Sequence, residues 1–124
     1  DSSEMILNKL EHRLDNVVFR SGFAQSRDQA RQIVNHGHIT VNGKKVGIPS
    51  FDVSIGDEIG IREASRKSPY FANLMPQWLK VYEAPSWIEL NKEKTTSKMK
   101  GHPILSESGI RIDDLQSIIE FYSR

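Results

Sequence analysis

RLDNVVFRSGFAQSRDQARQIVNHGHITVNGKKVGIPSFDVSIGDEIGI, residues 13–61, decides how this chain folds. Its centre is Asn42-Gly43, the strongest short hairpin signal, because a type I′ turn needs positive φ at both positions. The strand entering that turn, residues 38–41, alternates His38 and Thr40 on one face with Ile39 and Val41 on the other. Lys44 and Lys45 follow the turn, and the return strand continues over residues 46–48. Upstream, Ser26 and Gln29 have the spacing of a capping box and open a helix whose buried stripe is Ala30, Ile33 and Val34. Asp28 suits the dipole in its first turn, and Gly37 ends it.

Working outward, Leu7, Leu10, Leu14, Val17 and Val18 recur at helical steps and predict one helix over residues 4–20, with Ser3 as N-cap and Gly22 as its stop. Downstream, Phe51 and Val53 predict a short strand, residues 54–57 a turn, and residues 58–62 a strand with Ile59 and Ile61 on one face. The pattern is α-α-β-β-β. Phe51, Val53, Ile55, Ile59 and Ile61 are expected to pack against Ile33 and Val34.

Residues 64–81 suggest a helical face of Phe71, Leu74 and Trp78 broken by Pro76. Tyr70 and Phe71 fit base stacking or, more simply, a core. Residues 84–86 read as a joint, 87–90 as a short strand, 91–108 as a polar loop, and 113–122 as a final helix with Leu115, Ile118, Ile119 and Tyr122 on one face. The expected fold is α+β: two helices and a β-hairpin on a small, mostly antiparallel sheet, then a tail ending in a helix. The expected division is residues 1–83, with the core module at 13–61, and a tail over 84–124.

Composition excludes several classes. With 37% hydrophobic and 27% charged residues, the chain suits a packed globular fold. There is no Cys, hence no disulfide and no thiolate zinc site, and no apolar run approaches a membrane span. P-loop, Rossmann glycine fingerprint and nucleophile elbow are all missing. Asp57 and Glu58 are adjacent on a strand and point to opposite faces, so they do not form an acid–base pair. His36 and His38 lack a third ligand at metal-site spacing. No enzyme, no metal and no cofactor is expected.

Net charge is only +1, yet residues 13–45 carry a local +4, from Arg13, Arg20, Arg27, Arg31, Lys44 and Lys45 against Asp15 and Asp28. Positive charge focused on a helix and a hairpin tip is the footprint of a nucleic-acid partner. Arg27 and Arg31 stand one turn apart on one helix face, where they repel. A phosphate backbone would relieve that repulsion. Solvated cations and a basic face toward an acidic protein are the competing readings. The residues read as contacting phosphates are Arg27, Arg31, Lys44 and Lys45; Gln32, His36, His38, Thr40 and Asn42 would bond phosphates or ribose hydroxyls; Arg13, Arg20 and Ser26 complete the candidate RNA-binding set.

Arg13-Leu14-Asp15, Gly22, Ser26-Arg27, Ala30-Arg31, Ile33, Gly37, Ile39, Val41-Asn42-Gly43 and Gly56-Asp57 together resemble the small RNA-binding module named after small-subunit ribosomal protein four. The flanks, including Ile48-Pro49-Ser50-Phe51, Ile61-Arg62-Glu63, residues 85–90 and residues 119–124, look like that ribosomal protein family itself, bacterial or organellar. Residues 91–116 match it poorly. The family usually carries a further N-terminal helical region, often with a zinc site, which is missing from this sequence. Its C-terminal tail normally packs there, so Trp87 and the final helix are expected to lack part of their partner.

The resemblance implies direct binding of small-subunit ribosomal RNA at a helical junction, early in assembly. It also implies contact with small-subunit ribosomal protein five, an influence on decoding accuracy, and a place on a cytoplasmic or organellar ribosome. Some family members repress translation of their own message. The alternatives are a stand-alone RNA-binding regulator and the docking module of an RNA-modifying protein.

Overall fold

The computed structural model describes residues 2–111, together with 114, 115 and 117. The helices are α1 (Ser2–Glu11), α2 (Leu14–Arg20), α3 (Arg27–Asn35), α4 (Met75–Leu79) and α5 (Leu105–Ser108). The strands are β1 (Ile39–Val41), β2 (Lys44–Lys45), β3 (Glu58–Ile61), β4 (Ile88–Asn91) and β5 (Thr96–Met99). They form one sheet in the order β2-β1-β3-β5-β4, each neighbour antiparallel. The α+β expectation holds.

The predicted helix over residues 4–20 is two helices. Arg13 is extended, with φ −66° and ψ 140°, and forms an isolated bridge to Asp52. The break follows from who supplies hydrogen bonds. Residues 49–53 cross the gap, and the N–H groups of Leu14 and Asp15 donate to Phe51 O and Pro49 O at 2.9 and 3.1 Å. These donors have no partner inside the helix they open. Asn16 Nδ2 donates to Leu10 O at 2.8 Å, closing the end of α1. The predicted strand at Phe51 and Val53 is therefore a crossing segment, not a ladder. The apolar stripe also splits. Leu14, Val17 and Val18 enter the main core, whereas Leu7 and Leu10 form a second cluster with Leu115.

Both glycine stops behave as predicted. Gly22 and Gly37 have φ of +83° and +80°. Each closes a Schellman cap, the first through Gly22 N to Phe19 O and Phe23 N to Val18 O, the second through Gly37 N to Val34 O and His38 N to Ile33 O. The Asn42-Gly43 turn has φ of 51° and 83°, and Val41 pairs with Lys44 across it. Val53, Ile59 and Ile61 are buried with Ile33 and Val34, as expected, but Ile55 is exposed.

Residues 63–82 differ from the simple broken helix. A 3-10 turn (Glu63–Ser65) precedes a π-helical turn (Tyr70–Leu74) that feeds α4, with Pro76 in its first turn. The buried face is Phe71, Met75 and Leu79, while Leu74 is exposed. Three aromatic side chains from this segment donate to the carbonyls left by the end of α2. Tyr82 Oη reaches Arg20 O at 2.8 Å, Trp78 Nε1 reaches Gly22 O at 2.9 Å, and Tyr70 Oη reaches Phe23 O at 2.7 Å. Burial pushes the Tyr70 phenol up to about 12, so it remains a donor.

The predicted loop over residues 91–108 contains β5, which pairs with both β4 and β3, and the short α5. Its alternation was hidden by polar types: Ser97 and Met99 face inward, Lys98 outward. The strand predicted at 87–90 is β4, shifted by one residue. Trp87 is only 2% exposed and shares the main core with Ile88 and Met99. Its ring is packed by this chain, while its buried Nε1 has no hydrogen-bond partner among the described residues, and the sheet includes strands from both sides of residue 84. The predicted helix at 113–122, with Ile118, Ile119 and Tyr122, lies outside the described residues apart from Asp114, Leu115 and Ser117.

Candidate nucleic-acid interface

The second helix of the module begins as its capping signal requires. Ser26 Oγ accepts from Gln29 N at 3.0 Å, while Gln29 Oε1 accepts from Gln25 N at 2.7 Å rather than from Ser26. Ser26 is thus engaged as a cap. From this start α3 projects Arg31, Gln32 and His36 to the surface, and the hairpin brings Lys44 and Lys45 beside its far end. The approach is close. A Cβ on Gly37 would lie 3.5 Å from Lys45 Cδ and 3.8 Å from Lys45 Nζ. Lys45, separated in sequence from Arg31 by the Schellman cap and the hairpin, is thereby set beside the end of α3, with exposed Lys44 next to it at the hairpin tip.

The other arginines are held inward. Arg20 donates to both carboxylate oxygens of Glu11 at 2.9 Å and to Ser108 O at 2.8 Å, with its guanidinium 5.5 Å from the Trp87 ring centre. Glu11 is fully buried. Arg27 Nε donates to Asn16 Oδ1 at 2.8 Å, and its guanidinium lies 4.7 Å from the Phe19 ring and 3.7 Å from Glu11. Arg13 pairs with buried Asp15 at 3.1 Å. The Arg27 charge is therefore balanced within the protein, by buried Glu11 on α1.

Asn42 is also occupied. Its Nδ2 donates to Asp57 Oδ1 and its Oδ1 accepts from Glu58 N, both at 2.9 Å, locking the hairpin tip to the start of β3. Thr40 sits opposite Gly60, where an added Cβ would come within 3.1 Å of Thr40 Oγ1. His38 Nδ1 lies 2.7 Å from Ser65 Oγ.

Burial first, then Arg62 and His36, lower the His38 pKa below its ordinary 6.5. The fold holds His38 neutral. Its contribution to stability is complete above 6.5 and is lost as pH falls through the lowered folded value. In an imidazole NMR titration, His38 is expected to protonate below 6.5, and Arg62→Gln to raise that midpoint. A midpoint above 6.5 would contradict the geometry.

Of the twelve candidates, Gln32, His36, Lys44 and Lys45 are exposed and Arg31, His38 and Thr40 half-buried around the end of α3 and the hairpin, while Arg13, Arg20, Ser26, Arg27 and Asn42 are used in internal hydrogen bonds or ion pairs. Among the described residues, no cluster of metal-ligating side chains occurs.

Residues 12–59 match the S4 domain family. Small ribosomal subunit protein uS4 of Herpetosiphon aurantiacus is 50% identical over 121 residues, covering 97% of this chain and 57% of that protein. The uS4 proteins of Clostridioides difficile and Aquifex aeolicus are each 46% identical, over 123 and 129 residues. They are covered for 58% and 59% of their own lengths. Over almost its whole length the chain is similar to uS4 ribosomal proteins. It spans less than two thirds of the length of these relatives. The S4 domain match begins at the break between α1 and α2 and ends inside β3, so it contains every cation of the exposed face. Residues Gln29, Tyr70 and Phe71 join Gln32, His36 and His38 around an adjacent groove. Tyr70 and Phe71 lie outside the domain match, and no local pattern ties them to α3.

Proposed function

We propose that this chain is a structural constituent of the small ribosomal subunit that binds small-subunit ribosomal RNA directly. The observation that carries the reading is the gathering of Arg31, Gln32, His36 and Lys45 around the end of α3, with Lys44 at the hairpin tip, on an S4 domain. Its mechanism is recognition of shape and charge without catalysis. The helix and hairpin hold cations at fixed spacing against phosphates, because the deep groove of double-helical RNA is closed to side chains. The bacterial uS4 relatives support a place on a bacterial ribosome. An early role in assembly, contact with small-subunit ribosomal protein five and an influence on decoding accuracy complete the proposal.

The test is a titration of the chain against a small-subunit ribosomal RNA fragment containing a helical junction, with an unrelated structured RNA as control, at several salt concentrations. Lys44→Glu/Lys45→Glu and Arg31→Glu are run beside the parent. Each lost phosphate contact lowers the salt slope by somewhat less than ~1. The double variant is expected to bind on the order of a hundredfold more weakly, with the flatter slope, and to melt like the parent, because both lysines are exposed. Arg27→Glu is a poor probe, since it would set a second carboxylate beside buried Glu11. Unchanged affinity in the double variant, or no binding to either RNA, would overturn the reading.

A further inference from the structure

The groove beside the basic face has a volume of about 310 Å³ and is lined by Gln29, Gln32, His36, His38, Tyr70 and Phe71, among others. We propose that it receives one unpaired nucleobase of the bound RNA. This inference rests on the RNA-binding reading and adds to it a base-specific site.

Several observations favour a base over a phosphate or an apolar side chain. The groove contains four aromatic rings. Tyr70 and Phe71 meet edge to face at 4.9 Å, Phe71 and His38 at 5.6 Å, and His36 and His38 at 6.4 Å. Such a cluster offers π surface to a planar ring. Tyr70 Oη is committed to Phe23 O and His38 Nδ1 to Ser65 Oγ, so these rings are fixed in place before any ligand arrives. Gln29 Oε1 is held by Gln25 N, which leaves the Gln29 amide nitrogen as a donor, and Gln32 adds a second amide. Two amides at the rim of an aromatic groove match the hydrogen-bonding edge of a base.

The electrostatics agree. Among the described residues, no acidic side chain lines the groove. Lys45 packs over Gly37, between His36 and His38 in sequence, and Arg62 is near enough to help lower the His38 pKa. A nucleotide whose base enters the groove would therefore leave its phosphates among cations. An unpaired base can enter; a base stacked and paired in a helix cannot.

The experiment uses three RNA duplexes of one sequence: fully paired, with one bulged nucleotide, and with an abasic residue at the bulge. The bulge is made in turn with A, C, G and U. The full chain is expected to bind at least one bulged duplex about tenfold more tightly than the paired one, with the abasic duplex like the paired. Gln32→Ala/His36→Ala, at two exposed positions, is expected to remove that difference by weakening the bulged duplex about tenfold more than the paired one. If the paired, bulged and abasic duplexes bind alike, with a normal salt slope, the groove is not a base site and the RNA reading stands. If abasic and bulged duplexes bind alike but more tightly than the paired one, the protein reads backbone shape, which also overturns the base site. If no duplex and no ribosomal fragment binds, both proposals fall together.

Discussion

Replacing Glu11 with alanine is expected to lower unfolding stability by about 3–5 kcal/mol, the usual cost of breaking a buried ion pair by removing one partner. Glu11 has no exposed surface, and Arg20, paired to it by two 2.9 Å hydrogen bonds, is 11% exposed. The substitution leaves the Arg20 guanidinium near the Phe19 and Trp87 rings with Ser108 O as its remaining acceptor among the described residues. It also removes the carboxylate beside Arg27. Arg20→Ala is expected to cost a similar amount, because it removes both short hydrogen bonds to the buried carboxylate and leaves Arg27, at 3.7 Å, as its nearest cation. A small domain has about 5–15 kcal/mol in total, so either change removes a large share. The double change Glu11→Leu/Arg20→Met should be much milder than the sum of the singles, since it leaves no orphaned charge in that pair. Urea unfolding followed by circular dichroism reads all three. Single variants within 1 kcal/mol of the parent would show that water reaches the pair and that the sealed geometry is wrong.

Gly22→Ala is expected to destabilise by about 2–4 kcal/mol, and Gly37→Ala by only about 1 kcal/mol. Both glycines have the left-handed conformation of a Schellman cap, so both substitutions carry the same steric cost for an L side chain. The surroundings separate them. At Gly22 the new Cβ would lie 2.6 Å from Tyr82 Cδ2 and 3.1 Å from Leu79 Cδ1. Tyr82 has to move, and its 2.8 Å hydrogen bond to Arg20 O goes with it. At Gly37 the nearest atoms belong to the Lys45 side chain at 3.5 Å, an ordinary contact. Thermal melts of the two variants test the ranking directly. Equal losses would mean that Tyr82 yields at no cost.

Those two glycines also mark how far local reading reaches. Each was legible as a helix stop, because the left-handed requirement is a property of a residue and its neighbours. That one lies beneath Tyr82 and the other beneath a flexible lysine depends on segments far away in the chain. The candidate interface divides in the same way. Lys44, Lys45 and Arg31 are where the hairpin and helix patterns put them. Arg20 read as part of the same cationic set because its partner, Glu11, sits on the other side of a helix break that periodicity did not reveal.

That break has a physical cause absent from the local pattern. The spacing of Leu7, Leu10, Leu14, Val17 and Val18 is continuous, and only the carbonyls of Pro49 and Phe51, arriving from a later segment, make an extended Arg13 favourable. Strand β5 was missed for a related reason. Thr96, Ser97 and Lys98 carry little strand signal, and it is pairing with β3 and β4 that satisfies their backbone. Capping, turn chemistry and apolar period are short-range properties, so the sequence by itself determined the helix–helix–hairpin module and its cationic tip. Which arginines remain on the surface, which residues close the sheet, and which rings gather beside α3 depend on contacts between distant residues. Those contacts were decided by the tertiary structure alone, because burial of a charge or a backbone donor is settled only by what is packed against it.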